Sequence, residues 1–216
     1  MLSTTIDDHI MWHLAIVFTK GIQSMSSTIT VFAVSLDRIR QVVGSKNESL
    51  LTQIVAEQKS CLEDIDSIDE ECGFRCAEAL ADIIHGRVNR DIRGYLYGYA
   101  FETLCRQFGR ELNEISGIAG AATWIEEIDG ALVEVSSPIK LSDLLYAGCP
   151  IPIPRPDEYP IIGFLPASIL PVTLEQLSTL DTTKLDSDAA EVLGQMTSWL
   201  KTAGTIPGAS LVSFLS

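Results

Sequence analysis

The sequence predicts an α+β fold, a mainly helical single domain with a small sheet that includes an N-terminal and a C-terminal strand. Three observations predict it. The β-branched, apolar run TITVFAV at 28–34 and the apolar run SLVSFL at 210–215 read as strands at the two ends of one domain, free to pair with each other. The stretch GYLYGYAFETLCRQFG at 94–109 repeats Tyr97, Phe101, Leu104 and Phe108 at spacings of four, three and four, the seam of a helix. Several further windows of helical period lie between the strands, most of them closed by Gly or Pro. A length of 216 residues suits one domain, and 46% apolar with 20% charged residues suits a folded core.

Residues 1–24 differ in character from the rest of the chain. Their apolar run at 10–18 is shorter than the roughly 20 residues a bilayer-spanning helix needs. Asp7 and Asp8 stand where a signal peptide would carry Lys or Arg, and no small-residue cleavage site comes after the run. Met25 then opens MSSTITVFAVSLDRI, and the expectation is that translation starts there, with 1–24 a non-native or poorly ordered extension and 25–216 the globular domain. The alternative is an N-terminal helix packed on the domain. The intact mass of the protein from its native host separates the two.

After the first strand, Ser35 caps a helix over 36–43 with Leu36, Ile39 and Val43 inward and Gly44 as its stop. Ser45 and Glu48 form a capping box that opens a second helix, whose core face is Leu50, Leu51, Ile54, Val55, Cys61, Leu62 and Ile65. The acids at its end, Glu63, Asp64, Asp66, Asp69, Glu70 and Glu71, lack the ligand order, central glycine and closing Glu of a calcium loop and read as a solvated face. A third helix covers 72–84, with Ala77, Leu80, Ala81 and Ile84 inward and Gly86 stopping it. Arg87, Arg90 and Arg93 make a basic spot ahead of the central helix. In that helix Ala100 and Cys105, with Leu112 beyond, join the apolar side. Gly94 and Gly98 flank it, where a missing Cβ admits a second backbone, and Gly109 sits where a left-handed residue would end it. A fifth helix covers 121–135 through Ala121, Trp124, Ile125, Ile128, Leu132 and Val135, closed by Pro138.

Prolines at 150, 152, 154, 156 and 160 fix φ and remove donors, so that this run cannot be a central strand. It reads as an extended strap across the domain's own helices, or as a ligand for a proline-recognising module. Residues 161–165 form a short strand and 166–180 a helical turn with a loop. Asp188 and Glu191 make a second capping box, opening a helix through Ala189, Val192, Leu193, Met196, Trp199, Leu200 and Ala203 that Gly204 stops.

The charge balance is 15 basic against 29 acidic residues, net −14. That excludes the basic stripe a nucleic-acid surface needs and disfavours anionic lipid, and it leaves a basic protein or a cation as partner. Five cysteines at 61, 72, 76, 105 and 149 show no finger or CxxC spacing, which points to reduced, cytoplasmic use. Cys72 and Cys76 could share a helix face but have no second pair, so no metal is expected. There is no G-x-S-x-G, no P-loop and no G-x-G-x-x-G. His9 and His13, four apart, lie in the doubtful first segment, and His85 in a last helical turn suits the helix dipole. No catalytic residue and no cofactor is assigned, and the oligomeric state is not read.

Four pieces carry a likeness: TVFAVSLDRIRQVVGS, GYLYGYAFETLCRQFG, LLYAGCPIPIPRPDEYPIIGFL and SLVSFL. Together they resemble an uncharacterised bacterial family known as a domain of unknown function, family 7691 being the candidate, over roughly residue 28 to the end. The closing order of turn-rich segment, helix and strand is also similar to the YfbM-like family. Neither resemblance implies an activity, a cofactor or a site residue.

The candidate binding surface is Tyr95, Tyr99, Glu102 and Arg106, on the side of the central helix opposite its apolar seam. Two open tyrosines would leave apolar area in water, on the order of 100 Å² per ring, so something should cover them. The strap at 150–156 is the expected cover. Otherwise the rings wall a cleft in which Glu102 and Arg106 orient a polar ligand. The favoured function is a binding or interaction module, immunity-like or regulatory. The alternative is a small-molecule-binding protein or an enzyme that uses Arg and carboxylate groups in a cleft near the central helix.

Overall fold

The computed structural model describes residues 26–69, 71–89 and 93–216. The extension at 1–24, with His9 and His13, lies outside the described residues, as do Glu70 and Arg90.

Strand β1 (Ser27–Val34) leads into α1 (Leu36–Val42), α2 (Glu48–Glu57), α3 (Lys59–Asp66), α4 (Cys76–His85) and the central α5 (Gly94–Phe108). Short strands β2 (Arg110–Glu111) and β3 (Ile115–Ile118) precede α6 (Ala121–Glu134) and α7 (Leu141–Leu145). The Pro-rich strap leads to β4 (Ile161–Leu165), then α8 (Leu170–Leu177), α9 (Ser187–Gly204) and β5 (Ser210–Leu215). The expected α+β domain, mainly helical, with strands from both ends of the chain, is what forms. No helix among the described residues is long and apolar enough to cross a membrane.

The five strands make one antiparallel sheet in the order β2-β1-β5-β4, with β3 also on β1. β1 and β5 pair over six residues, from Ile29 with Leu215 to Val34 with Ser210. Helices cover both faces. Ile29, Val31, Ala33, Leu211 and Leu215 pack with the buried sides of α6, α7, α8 and α9. Phe32, Val34, Val212 and Phe214 pack with α1 to α5. Alternate side chains along β1 and β5 therefore all meet apolar partners, which is why both strands read as unbroken apolar runs. Ser213, one of the buried polar residues of these strands, donates its hydroxyl to the Leu144 carbonyl of α7 at 2.9 Å.

Several local expectations change. Asn47, not Ser45, caps α2, its side chain accepting from the Leu50 N–H at 3.0 Å. Asp186, not Asp188, caps α9 through the Ala189 N–H at 2.8 Å. The expected long second helix breaks at Gln58 into α2 and α3. On α1 it is Val42 that is buried, with Val43 half-buried. The third helix begins at Cys76, so Cys72 lies in the turn ahead of it and the two thiols do not share a helix. Asp66 caps that start by accepting from the Cys76 N–H at 2.8 Å, giving one member of the acidic run a structural task. Gly109 is extended (φ −116, ψ −171), not left-handed. A Cβ there would stand 2.9 Å from the Ala33 carbonyl and 2.9 Å from Val34 Cβ, so glycine is needed for the close approach of α5's end to β1.

Candidate functional site

The central helix is buried on most of its circumference: Leu96, Tyr97, Ala100, Phe101, Thr103, Leu104 and Cys105 are all inside. The apolar seam faces the sheet, with Phe101 and Phe214 ring centres 5.6 Å apart. Tyr97 keeps its hydroxyl satisfied there by donating to Asp82 at 3.1 Å and accepting from the Asn89 N–H at 3.0 Å.

The four candidate residues come together on the other side, each half-buried. They form two i,i+4 pairs along the helix. Tyr95 and Tyr99 meet edge to face, ring centres 6.5 Å apart. Arg106 donates to Glu102 at 3.3 Å and also pairs with Glu111 on β2, its guanidinium carbon 5.3 Å from the Phe32 ring centre. Arg106 Nε is buried with no hydrogen-bond partner. Burial pushes the Glu102 carboxyl above its ordinary range, against the pull of Arg106. Burial, and then the charge of Glu102, push the Tyr99 phenol up to about 12. Tyr95 is raised by burial first and by its hydrogen bond with Cys72. The ionic members thus join α5 to β2, a contact within the protein.

The strap lies along the central helix at Gly94 and Gly98, the residues immediately before Tyr95 and Tyr99. A Cβ on Gly94 would fall 2.2 Å from the Arg155 carbonyl, and one on Gly98 would fall 2.9 Å from Pro160 Cγ and 3.0 Å from Pro156 Cγ. The prolines take the groove the two glycines leave open, as the missing Cβ atoms implied. The polar and ionic groups near the rings are Cys72, Arg93 and Asp69 by Tyr95, and Glu102 and Cys76 by Tyr99. Cys61 of α3 stands near Arg106 and Glu102. A rigid strap packs closest where no side chain stands.

His85 is a latch between helices. An arginine can only donate, so His85 Nδ1 accepts from Arg87 at 2.6 Å and its Nε2–H donates to Glu48 of α2 at 2.8 Å. The five cysteines are free. Burial pushes Cys76 and Cys105 up, and Cys149 to about 12, so these three thiols are poor nucleophiles. Among the described residues no group of three or more His, Cys, Asp or Glu is placed to hold a metal.

Surface cavities formed by the described residues include two that lie away from the four. One, of about 830 Å³, is enclosed by the strap and includes Tyr146, Ile151, Arg155, Asp157, Glu158 and Tyr159 in its wall. The other, of about 540 Å³, lies between β3 and the start of α9, with Glu114, Trp124, Asp188 and Glu191 in its wall. Neither was anticipated from the sequence. A tyrosine at each end of the proline run was the available signal for the first.

A family model described as Domain of unknown function (DUF7691) matches residues 25–216. No curated protein and no solved structure matches the chain.

Proposed function

The chain belongs to that DUF7691 family, and we propose that it is a binding or interaction module, regulatory or immunity-like, that engages a basic protein in a bacterial cytoplasm. One observation carries the reading. Arg40, Lys59, Arg87, Arg93, Arg106 and Lys140 are all held in ion pairs with the protein's own carboxylates. With 29 acids against 15 bases, pairing leaves carboxylates in excess at the surface. Such a surface steers a cationic partner and repels nucleic acid. The free thiols support a reducing compartment.

Cross-linking in the native host, with partners identified by mass spectrometry, tests this. The expected result is a basic partner whose binding to the purified protein weakens at least tenfold between about 0.05 and about 0.5 M salt. A partner that is acidic, or indifferent to salt, overturns it.

A second reading, a small-molecule site near the central helix, is favoured by the buried and unpartnered Nε of Arg106 beside Glu102. Thermal-shift screening against metabolites and metal ions tests it. A ligand whose stabilising shift disappears in Arg106→Lys would replace the first reading with this one.

A further inference from the structure

Resting on the reading of a basic partner, we propose that the strap cavity is the seat for an arginine or lysine side chain that this partner presents. The strap around the cavity is well pinned. Ile151 is buried, the Gly148 N–H donates to the Ile162 carbonyl at 3.1 Å, and the run is seated on Gly94 and Gly98. Its prolines fix φ, so the wall is in place before anything binds. Yet Tyr146 stays 49% exposed and Tyr159 38% exposed.

The surroundings of the rings select the chemistry of the occupant. Tyr159, Asp129 and Glu126 stand close enough to Tyr146 to add to the effect of burial on its phenol. Asp129 is held in place by accepting from the Ser142 N–H at 3.3 Å. Asp157 and Glu158, both exposed, complete the wall. Arg155 is the one cation in that wall. Aromatic faces with several carboxylates favour a cation on an apolar stem, through cation–π attraction to the rings and Coulomb attraction to the acids. An anion is repelled. A volume of about 830 Å³ leaves room for such a side chain and part of the backbone that carries it.

A fluorescein-labelled hexa-arginine peptide titrated into the full chain, with hexa-citrulline as the uncharged control, tests the assignment by fluorescence anisotropy. Hexa-arginine should bind and hexa-citrulline should not. Tyr146→Ala and Tyr159→Ala should each raise Kd about fivefold. The pair Asp157→Asn with Glu158→Gln should do at least the same, whereas the charge-matched pair Glu71→Gln with Glu175→Gln, on other parts of the surface, should change Kd less than twofold. Thermal melts confirm that each variant folds; if one tyrosine variant does not, the other and the carboxylate pairs still decide. No binding of hexa-arginine, tyrosine variants that bind as well as the parent, or equal weakening by both carboxylate pairs overturns the assignment. A cross-linked basic partner that binds the double tyrosine variant undiminished also removes the cavity assignment, and leaves the reading of a basic partner standing. Hexa-arginine bound at the cavity without any such partner supports the cavity and counts against that reading.

Discussion

Glu102 carries its charge only against the cost of its burial. Its carboxyl lies above the ordinary value of 4.5, because burial outweighs the attraction of Arg106. Folding therefore favours the protonated form. The stability this contributes is fully present below the ordinary value and is lost as pH rises through the raised one. Glu102→Gln keeps the shape, cannot ionise, and leaves Arg106 paired with Glu111. It should melt close to the parent near pH 4 and gain on it as pH rises toward 7, seen in thermal melts at several pH values. Parallel curves would show that the charge is fully compensated. Glu102→Ala would be nearly silent only if the residue were unpaired, and the pairing with Arg106 removes that condition. Tyr97 shows the opposite balance, a buried hydroxyl with both a donor and an acceptor partner. Tyr97→Phe should cost about 1–2 kcal/mol in urea denaturation, since Asp82 and the Asn89 N–H each lose this partner.

Helices and strands were legible in proportion to their length and period. α5, α6 and α9 each carry a full apolar face, and Leu104, fully buried, is the centre of the first. Leu104→Ala should cost about 2–5 kcal/mol by urea denaturation. β2 has two residues, both exposed, and β3 has four with Gly117 at φ +77, so neither shows alternation. They exist because β1 offers them an edge, a tertiary cause that leaves no local pattern. α7 has five residues, too few for a period, and its Leu144 carbonyl is fixed by Ser213 from far along the chain. The caps slipped by two residues at Asn47 and Asp186 because each stands in a run of several capable residues. Of the candidate site, the i,i+4 pairing was readable from helix geometry. The position of the strap was readable only from Gly94 and Gly98, and the open tyrosines at its ends only from the folded strap. Glycines separate the same way in experiment. A Cβ on Gly163 of β4 would fall 1.8 Å from the Leu144 carbonyl, so Gly163→Ala should cost at least about 1–3 kcal/mol. Gly130 and Gly194, inside α6 and α9, have nothing within 4 Å, and Ala at either should stabilise by up to about 1 kcal/mol. Comparable losses at all three would mean that the contact at Gly163 is not the determining one.

The molecule as a whole is two apolar clusters that share one sheet, and the sharing decides how it unfolds. Ile29, Val31 and Ala33 belong to one cluster, while Phe32 and Val34, their neighbours on the same strand, belong to the other. β5 divides in the same way between Leu211 and Leu215 on one face and Val212 and Phe214 on the other. Neither cluster can lose its floor without the other losing it too, because removing β1 exposes both sets of side chains at once. The ends of the chain reinforce this: β1 and β5 are hydrogen-bonded neighbours in the middle of the sheet although they come from opposite ends of the sequence. Unfolding should therefore be one cooperative transition and not the separate melting of two layers. Probes for each cluster are already in place. Trp199 is buried in the cluster formed by α6 to α9, and its indole N–H donates to the Asn113 carbonyl at 2.7 Å. Cys76 and Cys105 are buried in the other. With Trp12 and Trp124 replaced by Phe and Cys61, Cys72 and Cys149 by Ser, Trp199 fluorescence and the reactivity of Cys76 and Cys105 toward a thiol reagent should report the same urea midpoint and the same slope. If the thiols became reactive at a distinctly lower urea concentration than the indole became solvated, the helices α1 to α5 would be detaching from an intact sheet, and the shared strands would not be what couples the two clusters.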